Sequence, residues 1–543
     1  MTVRSAPPGD ENHPAHHTDR AVVRQSSLTG AAAAASVIVG LLLDVSIAAR
    51  FGAGRATDAF FVSARIPLGL VALLMVAANQ ALVPAFRTSV TNRGVEATHR
   101  LISMIVSVVV LVGATLLLLV WLAAEPLMRI TAPGISAAEV STAASMVPVV
   151  FAIVPMIGVS EVLRAYLNSR YAFVAPALMN VVLNGLAASV VLLSPLLTSH
   201  HDIRVVAVAY LVGAVAQVSF MSTMALRRGF RFRPAIDVRD PALRSVGKLS
   251  IRPLAAAGLN PVARLGEQLF VSFLPPGSIT ILNYGNRLIS AIGGTVFFRS
   301  IIVALVPRLT EAHNRGDERD VLRITGLGLR MMLAISVPLT AFMAVLAKPA
   351  ALAVFQRGNF TRASAALLGT VLAVYSISLV GSAVQRALLA PFFARLDTRT
   401  PLRNTIYGVA ANLVLLPLLT LPFGRGNANA IIGVALAYSL AQFVNVGHAW
   451  YRLRSAVGTP SSDLRRLGPK LLAASLLSAA TMIGATVAFR LDDPIGRGVL
   501  LLRTALAGAG GVAVLALSLA LLTGNDLSSS WRLLRRERVR DLP

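Results

Sequence analysis

There is no cysteine among the 543 residues. Disulfides, thiolate nucleophiles and cysteine-ligated metals are therefore excluded, and redox chemistry does not reveal the compartment. Charge is almost as scarce. Asp, Glu, Lys and Arg make up 14% of the chain, against about 25% in soluble domains, too little for the polar surface of a soluble protein this long. Acidic residues are the rarest of these, with 24 Asp and Glu against 50 Lys and Arg and a formal net charge of +26. So basic a chain suggests nucleic acid as a partner. Basic residues that collect in cytoplasmic loops and face anionic lipid headgroups explain the excess better, so anionic membrane lipids are expected as partners and nucleic acid is not. Catalytic signatures are also missing. Gly52-Ala53-Gly54 begins a dinucleotide fingerprint that lacks its third glycine, and Gly247-Lys248 lacks the upstream glycine of a phosphate-binding loop. There is no HExxH and no GxSxG.

What fills the space is apolar. Hydrophobic residues make up 55% of the chain, mean hydropathy is +0.71, and apolar runs of about 20 residues, the length of a membrane-crossing helix, recur from 28 to 523. Strands of a membrane barrel would alternate polar and apolar residues. The run 102–124 does not alternate, so the expected class is an all-α polytopic membrane protein. Fourteen spans are expected, at 28–49, 57–86, 99–124, 138–168, 172–197, 203–227, 243–274, 278–308, 320–346, 362–394, 401–421, 428–451, 469–490 and 498–523. Residues 1–27 carry His13, His16 and His17 without an apolar period and read as a disordered tail rather than a metal site. The run that follows is too long for a cleaved signal and contains Asp44.

An even number of spans puts both termini on one side. With that side cytoplasmic, loop Lys and Arg residues fall inside by roughly three to one. Ala81-Leu82-Val83-Pro84 recurs as Ala304-Leu305-Val306-Pro307. Ala165, Arg170 and Pro176 recur at identical spacing, and nearly the same offset, as Ala390, Arg395 and Pro401. Six spans separate the copies, so the two halves are parallel, with substrate expected between them. The division expected is a cytoplasmic tail 1–27, an N-lobe 28–227, a basic linker 228–242, a C-lobe 243–455, two extra spans within 456–523, and a basic cytoplasmic tail 524–543.

Ionisable residues inside spans are costly and mark function by default. Asp44, Asp58, Arg65, Arg252, Arg264, Glu267, Arg287, Arg299 and Arg386 qualify. Arg264 and Glu267, three residues apart, either neutralise each other or handle an ion or proton. Shifted by the repeat offset, Arg65 lands one residue from Arg287. Two arginines at equivalent places suit bidentate binding of a diphosphate in the interlobe cavity, although an Asp58–Arg65 salt bridge would also explain one of them. Prolines at 148, 155, 253, 261 and 338 permit kinks.

Several strings carry a family resemblance. They are Arg50 to Phe61 (RFGAGRATDAFF) with Arg65-Ile66-Pro67, Ala81 to Pro84 (ALVP), and Thr131 to Gly134 (TAPG). Further along come Tyr284-Gly285-Asn286-Arg287-Leu288, Gly358-Asn359-Phe360-Thr361, and Ala390 to Pro401 (APFFARLDTRTP). In this order they resemble the MurJ/MviN family, the lipid II flippases of the multidrug/oligosaccharidyl-lipid/polysaccharide exporter superfamily. The resemblance implies two six-helix lobes in a V, two further helices forming a lipid-facing groove, and a cationic central cavity. It implies a transporter rather than an enzyme, one that works by alternating access and carries an undecaprenyl-diphosphate-linked glycan precursor of peptidoglycan from the inner to the outer leaflet. No cofactor or metal is implied, but coupling to the membrane potential or to a sodium or proton gradient is, with envelope synthases as candidate partners. Ser36, Asp58, Arg65 and Arg287 match functional positions of the family, and Arg386 falls where a basic residue is common. Glu267 and Asn412 are loose candidates for the ion site some members have between the seventh and eleventh spans.

The departures are specific. Val37 and Leu43 stand where the family's first helix carries arginines, and Val71-Ala72 and Val76 replace an arginine pair and a glutamate of the second. Two other readings therefore stay open: a flippase for another lipid-linked polysaccharide unit, and a scaffold that recruits envelope synthases without transporting.

Overall fold

The computed structural model describes the backbone of residues 15–197, 202–237, 239–294, 297–424, 426–460, 464–491, 493 and 496–523, and of these the side chains from 28 on except at 197, 252–253, 255–256, 293–294, 297, 299–300, 464–466 and 523. The side chains of His13, His16, His17, Arg252, Pro253 and Arg299 lie outside the described residues.

Only helices and helical turns occur as regular elements among the described residues. A first group holds α1 (Ala15–Phe51), α2 (Arg55–Ala77), a π-helical turn at Ala78–Leu82, α3 (Val83–Leu122), the short α4 (Ala124–Thr131), α5 (Ala137–Phe151), α6 (Ile153–Ser169), α7 (Val174–Leu197) and α8 (Arg204–Arg227). A second holds α9 (Pro241–Val271), α10 (Ser278–Gly294), α11 (Phe297–Asn314), α12 (Glu318–Phe355), α13 (Arg362–Ala394), α14 (Arg399–Thr420) and α15 (Ala430–Ala456). Two more, α16 (Leu464–Ala488) and α17 (Arg497–Thr523), pack on each other and on α12. Within the first group α1 packs on α7, α7 on α8, α2 on α5 and α3 on α6; within the second, α13 packs on α12 and α15, and α14 on α15. Between the groups, α2 packs on α9 and α10, and α1 touches α10 and α12.

Three differences from the expected spans have local causes. The first helix begins at Ala15, inside the segment read as a disordered tail: an apolar period marks contact with lipid or core, whereas Ala, Arg and Gln extend a helix without one. The loop expected at 87–98 is helical except at Gly94, whose φ of 82° only glycine adopts without strain. The span expected at 138–168 is split at Ala152. Pro155 has no N–H to give the carbonyl of Phe151, so the ladder breaks there.

Eleven described helical segments are long and apolar enough to cross a membrane. One of them, Arg55–Leu122, contains two of the fourteen expected spans, on either side of Gly94. The other two fall in α9 and in the pair α10 and α11, where stretches of side chains lie outside the described residues and α10 has 17 residues.

One end of the bundle is closed by contacts between the groups. The carbonyl of Ala49 accepts from the Asn359 N–H at 2.8 Å, and that of Arg50 from Asn359 Nδ2 at 2.6 Å. Ser272 Oγ accepts from the Gly134 N–H at 3.0 Å. A Cβ on Gly358 (φ +51°) would lie 2.1 Å from the carbonyl oxygen of Ala49. Gly358→Ala is therefore expected to cost about 2–4 kcal/mol, from left-handed strain plus overlap. Thermal unfolding in detergent checks this; an unchanged midpoint would mean the contact does not hold the end closed.

Candidate functional site

Arg287 lies on α10, and its partners come from the other group. Its Nη1 donates to Asp44 Oδ1 of α1 at 2.7 Å and to the Tyr210 hydroxyl of α8 at 3.3 Å. The Asp44 side chain is 3% exposed and that of Arg287 40%. The carboxylate thus anchors the arginine while part of its side chain stays accessible. Gly40, one turn before Asp44, borders the same guanidinium: a Cβ there would sit in ordinary contact, 3.7 Å from Arg287 Nη2.

Arg65 makes the reciprocal crossing. It lies on α2, and its Nε donates to Gln268 Oε1 of α9 at 2.8 Å. Its Nη2 is buried with no hydrogen-bond partner among the described residues, an incomplete arrangement for a guanidinium. Arg65 lines a small cavity of ≈ 240 Å³ with Asn260 and Arg264 of α9 and Asn283 of α10. Asn283 is one turn before Arg287, so the cavity wall and Arg287 share one face of α10.

Asp58, taken from the sequence as substrate-binding or as a partner of Arg65, bonds to the start of α10 and not to Arg65. Its Oδ2 accepts from the Gly277 N–H at 2.6 Å, and its Oδ1 from the Thr280 N–H at 2.8 Å and hydroxyl at 2.6 Å. The N-terminus of α10 offers N–H groups that the helix itself leaves unpaired, and a carboxylate is their strongest acceptor. Asp58 therefore locks α2 to α10 at the closed end, 3% exposed, with both oxygens occupied.

Glu267 and Asn412 are brought together. Asn412 Nδ2 of α14 donates to Glu267 Oε1 at 2.7 Å, and Arg264 pairs with Glu267 Oε2 at 3.1 Å. The Arg264 guanidinium lies 5.0 Å from the ring centre of Tyr438 on α15. Arg264, Glu267, Asn412 and Arg386 line a second cavity of ≈ 390 Å³ inside the second group. Ser36 is half-buried on α1, about 12 Å along the axis from Asp44, and lines neither cavity. Near Asp397, between α13 and α14, burial raises the carboxyl pKa, but hydrogen bonds from the Thr400 hydroxyl and the Thr400 and Arg399 N–H groups, with the charge of Arg452, outweigh it and hold the pKa below the usual carboxylate value. Among the described residues no cluster of His, Asp and Glu is arranged to hold a metal.

Sequence reasoning missed Asp44 as the anchor of Arg287. It also missed Tyr210 and Gln268, and the carboxamides Asn260, Gln385, Gln442 and Asn445 of the second cavity. Counting amide side chains within apolar spans along with the charges would have found the carboxamides. The substituted positions are accommodated as apolar sites: Leu43 is fully buried in the core, and Ala72 faces the small cavity beside Arg65.

The profile of the family described as "Lipid II flippase MurJ" matches residues 47–492. The chain belongs to that family. It is 25% identical over 449 residues to a probable lipid II flippase MurJ of Buchnera aphidicola, covering 81% of this chain and 85% of the relative. Its fold is similar to a solved lipid II flippase MurJ in an inward closed conformation, with TM-score 0.74, 19% identity, and coverage of 91% of this chain and 98% of that one. It is also similar to an inward-facing multidrug resistance transporter of the MATE family, with TM-score 0.66, 14% identity, and coverage of 77% and 94%. Family and spans together make this a multi-pass inner-membrane protein of a transporter family.

Proposed function

We propose that the chain is a lipid II flippase, moving an undecaprenyl-diphosphate-linked glycan precursor from the inner to the outer leaflet for peptidoglycan synthesis. The observation that carries this is Arg287, anchored by a buried carboxylate from the opposite group yet 40% exposed, as a diphosphate-gripping guanidinium must be. Family membership supplies the cargo class. In this reading both termini are cytoplasmic, the closed end faces outward, and Arg65, with an unpaired buried nitrogen, takes part of the same diphosphate. Complementation of a conditional lipid II flippase mutant tests the assignment: growth on depletion supports it, and lysis at normal expression sinks it.

A second reading is favoured by where the cations sit. Arg264 and Arg386, which line the second cavity, and the exposed Arg287 come from α9, α13 and α10, and of these candidate cations only Arg65 comes from the first group. A flippase for a different polyprenyl-diphosphate-linked unit fits this skew. Transport of such a unit, but not lipid II, in the same reconstituted vesicles would select it.

A further inference from the structure

A third cavity, of ≈ 670 Å³, lies in the first group, away from both arginine-lined cavities. Val110 and Leu111 of α3, Leu163 of α6 and Leu226 of α8 line it, together with Phe232 and Ile236 of the segment that leads from α8 to α9. Neither α2 nor α9, which wall the Arg65 cavity, contributes to it. The segment is pinned where it crosses the helices. Phe230 is buried, its ring centre 5.4 Å from that of His99 and 5.5 Å from that of Tyr166. The Arg233 N–H donates to Ser103 Oγ of α3 at 3.2 Å. Phe232 and Ile236 are nevertheless 46% and 59% exposed. Apolar side chains held open over an apolar cavity are costly in water, so the surroundings that suit them are hydrocarbon. From Ser103 to Ala114, the lining residue of α3 farthest from it, the helix rises about 16 Å. That is half of a hydrocarbon core of about 30 Å, the depth of one leaflet. The rim is cationic. Arg231 and Arg233 flank Phe232, Arg227 follows Leu226, and all three are exposed. Arg233 meets Glu96 at 3.4 Å, but both ends are exposed and such a pair is worth little.

We propose that this cavity binds a diacyl phospholipid of the cytoplasmic leaflet with an anionic headgroup. The acyl chains fill the space between α3, α6 and α8, and the phosphate meets Arg227, Arg231 and Arg233. The site is independent of the flippase reading and needs only that the segment before α9 face the cytoplasm. A lipid without net charge satisfies the apolar wall but gains nothing from the rim. Occupancy also bears on the join between the groups. Phe230 shares a core cluster with Val246 of α9, and Ala242 and Leu243 at the start of α9 pack against that cluster. A lipid bound beneath the segment therefore stabilises, by mass action, the path of the chain from one group into the other.

Native mass spectrometry of the full chain in detergent, titrated with phosphatidylglycerol and with phosphatidylcholine of the same acyl chains, tests this. The parent is expected to hold one phosphatidylglycerol at least about tenfold more tightly than phosphatidylcholine. Arg231→Gln and Arg233→Gln should each weaken that binding about fivefold, the scale of one basic residue at an anionic lipid surface, and leave phosphatidylcholine unchanged. Arg454→Gln removes the same charge at an exposed position of α15 and should change neither. Ala114→Trp, at an exposed position, fills the cavity from α3, and Ser222→Phe fills it from α8. Either should weaken both lipids about tenfold at an unchanged thermal midpoint. Equal losses in all three arginine variants would mean that the lipid answers to net charge and not to this site, and would overturn the proposal. Equal affinity of the parent for the two lipids overturns it too, as does unchanged binding when the cavity is filled. If undecaprenyl diphosphate displaces phosphatidylglycerol from the parent and loses its own binding in the filled variants, the cavity holds the cargo's tail instead.

Discussion

Arg287→Ala is expected to abolish complementation of a lipid II flippase mutant and to lower transport in vesicles by at least about a hundredfold, the scale of losing a charge-assisted bidentate contact of about 3 kcal/mol. The complication is Asp44. Its side chain is 3% exposed and it pairs with Arg287 at 2.7 Å, so the single substitution leaves a buried carboxylate without that cation. Stranding a buried charge costs about 3–5 kcal/mol and lowers the amount of folded protein. The double variant Asp44→Asn/Arg287→Ala separates the effects: without the stranded charge, folding should recover while transport stays lost. Arg287→Lys is the complementary control. It keeps the positive charge near Asp44 but gives up the planar fork, so intermediate transport at full stability is expected. Normal growth on the double variant would remove Arg287 from the mechanism.

How much of this was visible in the sequence divides along physical lines. The helical membrane class was visible, because apolar runs of bilayer length are required by lipid. Arg65 and Arg287 stood out because a charge inside a span is costly wherever it points. Partners were not visible. Asp58 and Arg65 are seven residues apart on one helix, which suggested a pair, yet Asp58 caps α10 at Gly277 and Thr280 and Arg65 reaches Gln268 on α9. Both partners are more than 200 positions away in the chain, and no local period encodes such a contact. The carboxamide cavity was hidden for a different reason. Asn and Gln carry no charge, so a search for intramembrane ions passes over Asn445, although its burial is as deliberate as that of Glu267. The substitutions at Leu43 and Ala72 read as lost charge, and only the fold shows Leu43 fully enclosed by the core.

Asp58→Asn is expected to open the closed end. The carboxylate takes three hydrogen bonds from the α10 N-terminus, charge-assisted and aligned with the helix dipole. An asparagine of the same shape keeps one acceptor oxygen and turns an amide N–H₂ toward backbone donors, so at least one of those bonds becomes a repulsion. A loss of about 3 kcal/mol shifts a two-state closed–open equilibrium more than a hundredfold, enough to populate a state that is otherwise rare. Because the chain has no cysteine, a single reporter is readily placed. Ser272→Cys is near-isosteric, 4% exposed, and sits where the Gly134 N–H crosses between the groups. In the orientation proposed above, a membrane-impermeant maleimide added from the outer side should label it at least about tenfold faster in the Asp58→Asn background than in the parent, and transport should fall because cargo would no longer be loaded against a sealed end. Equal labelling rates would mean that Asp58 only caps α10, and that the closed end is held instead by Asn359 against Ala49 and Arg50, where Gly358→Ala acts.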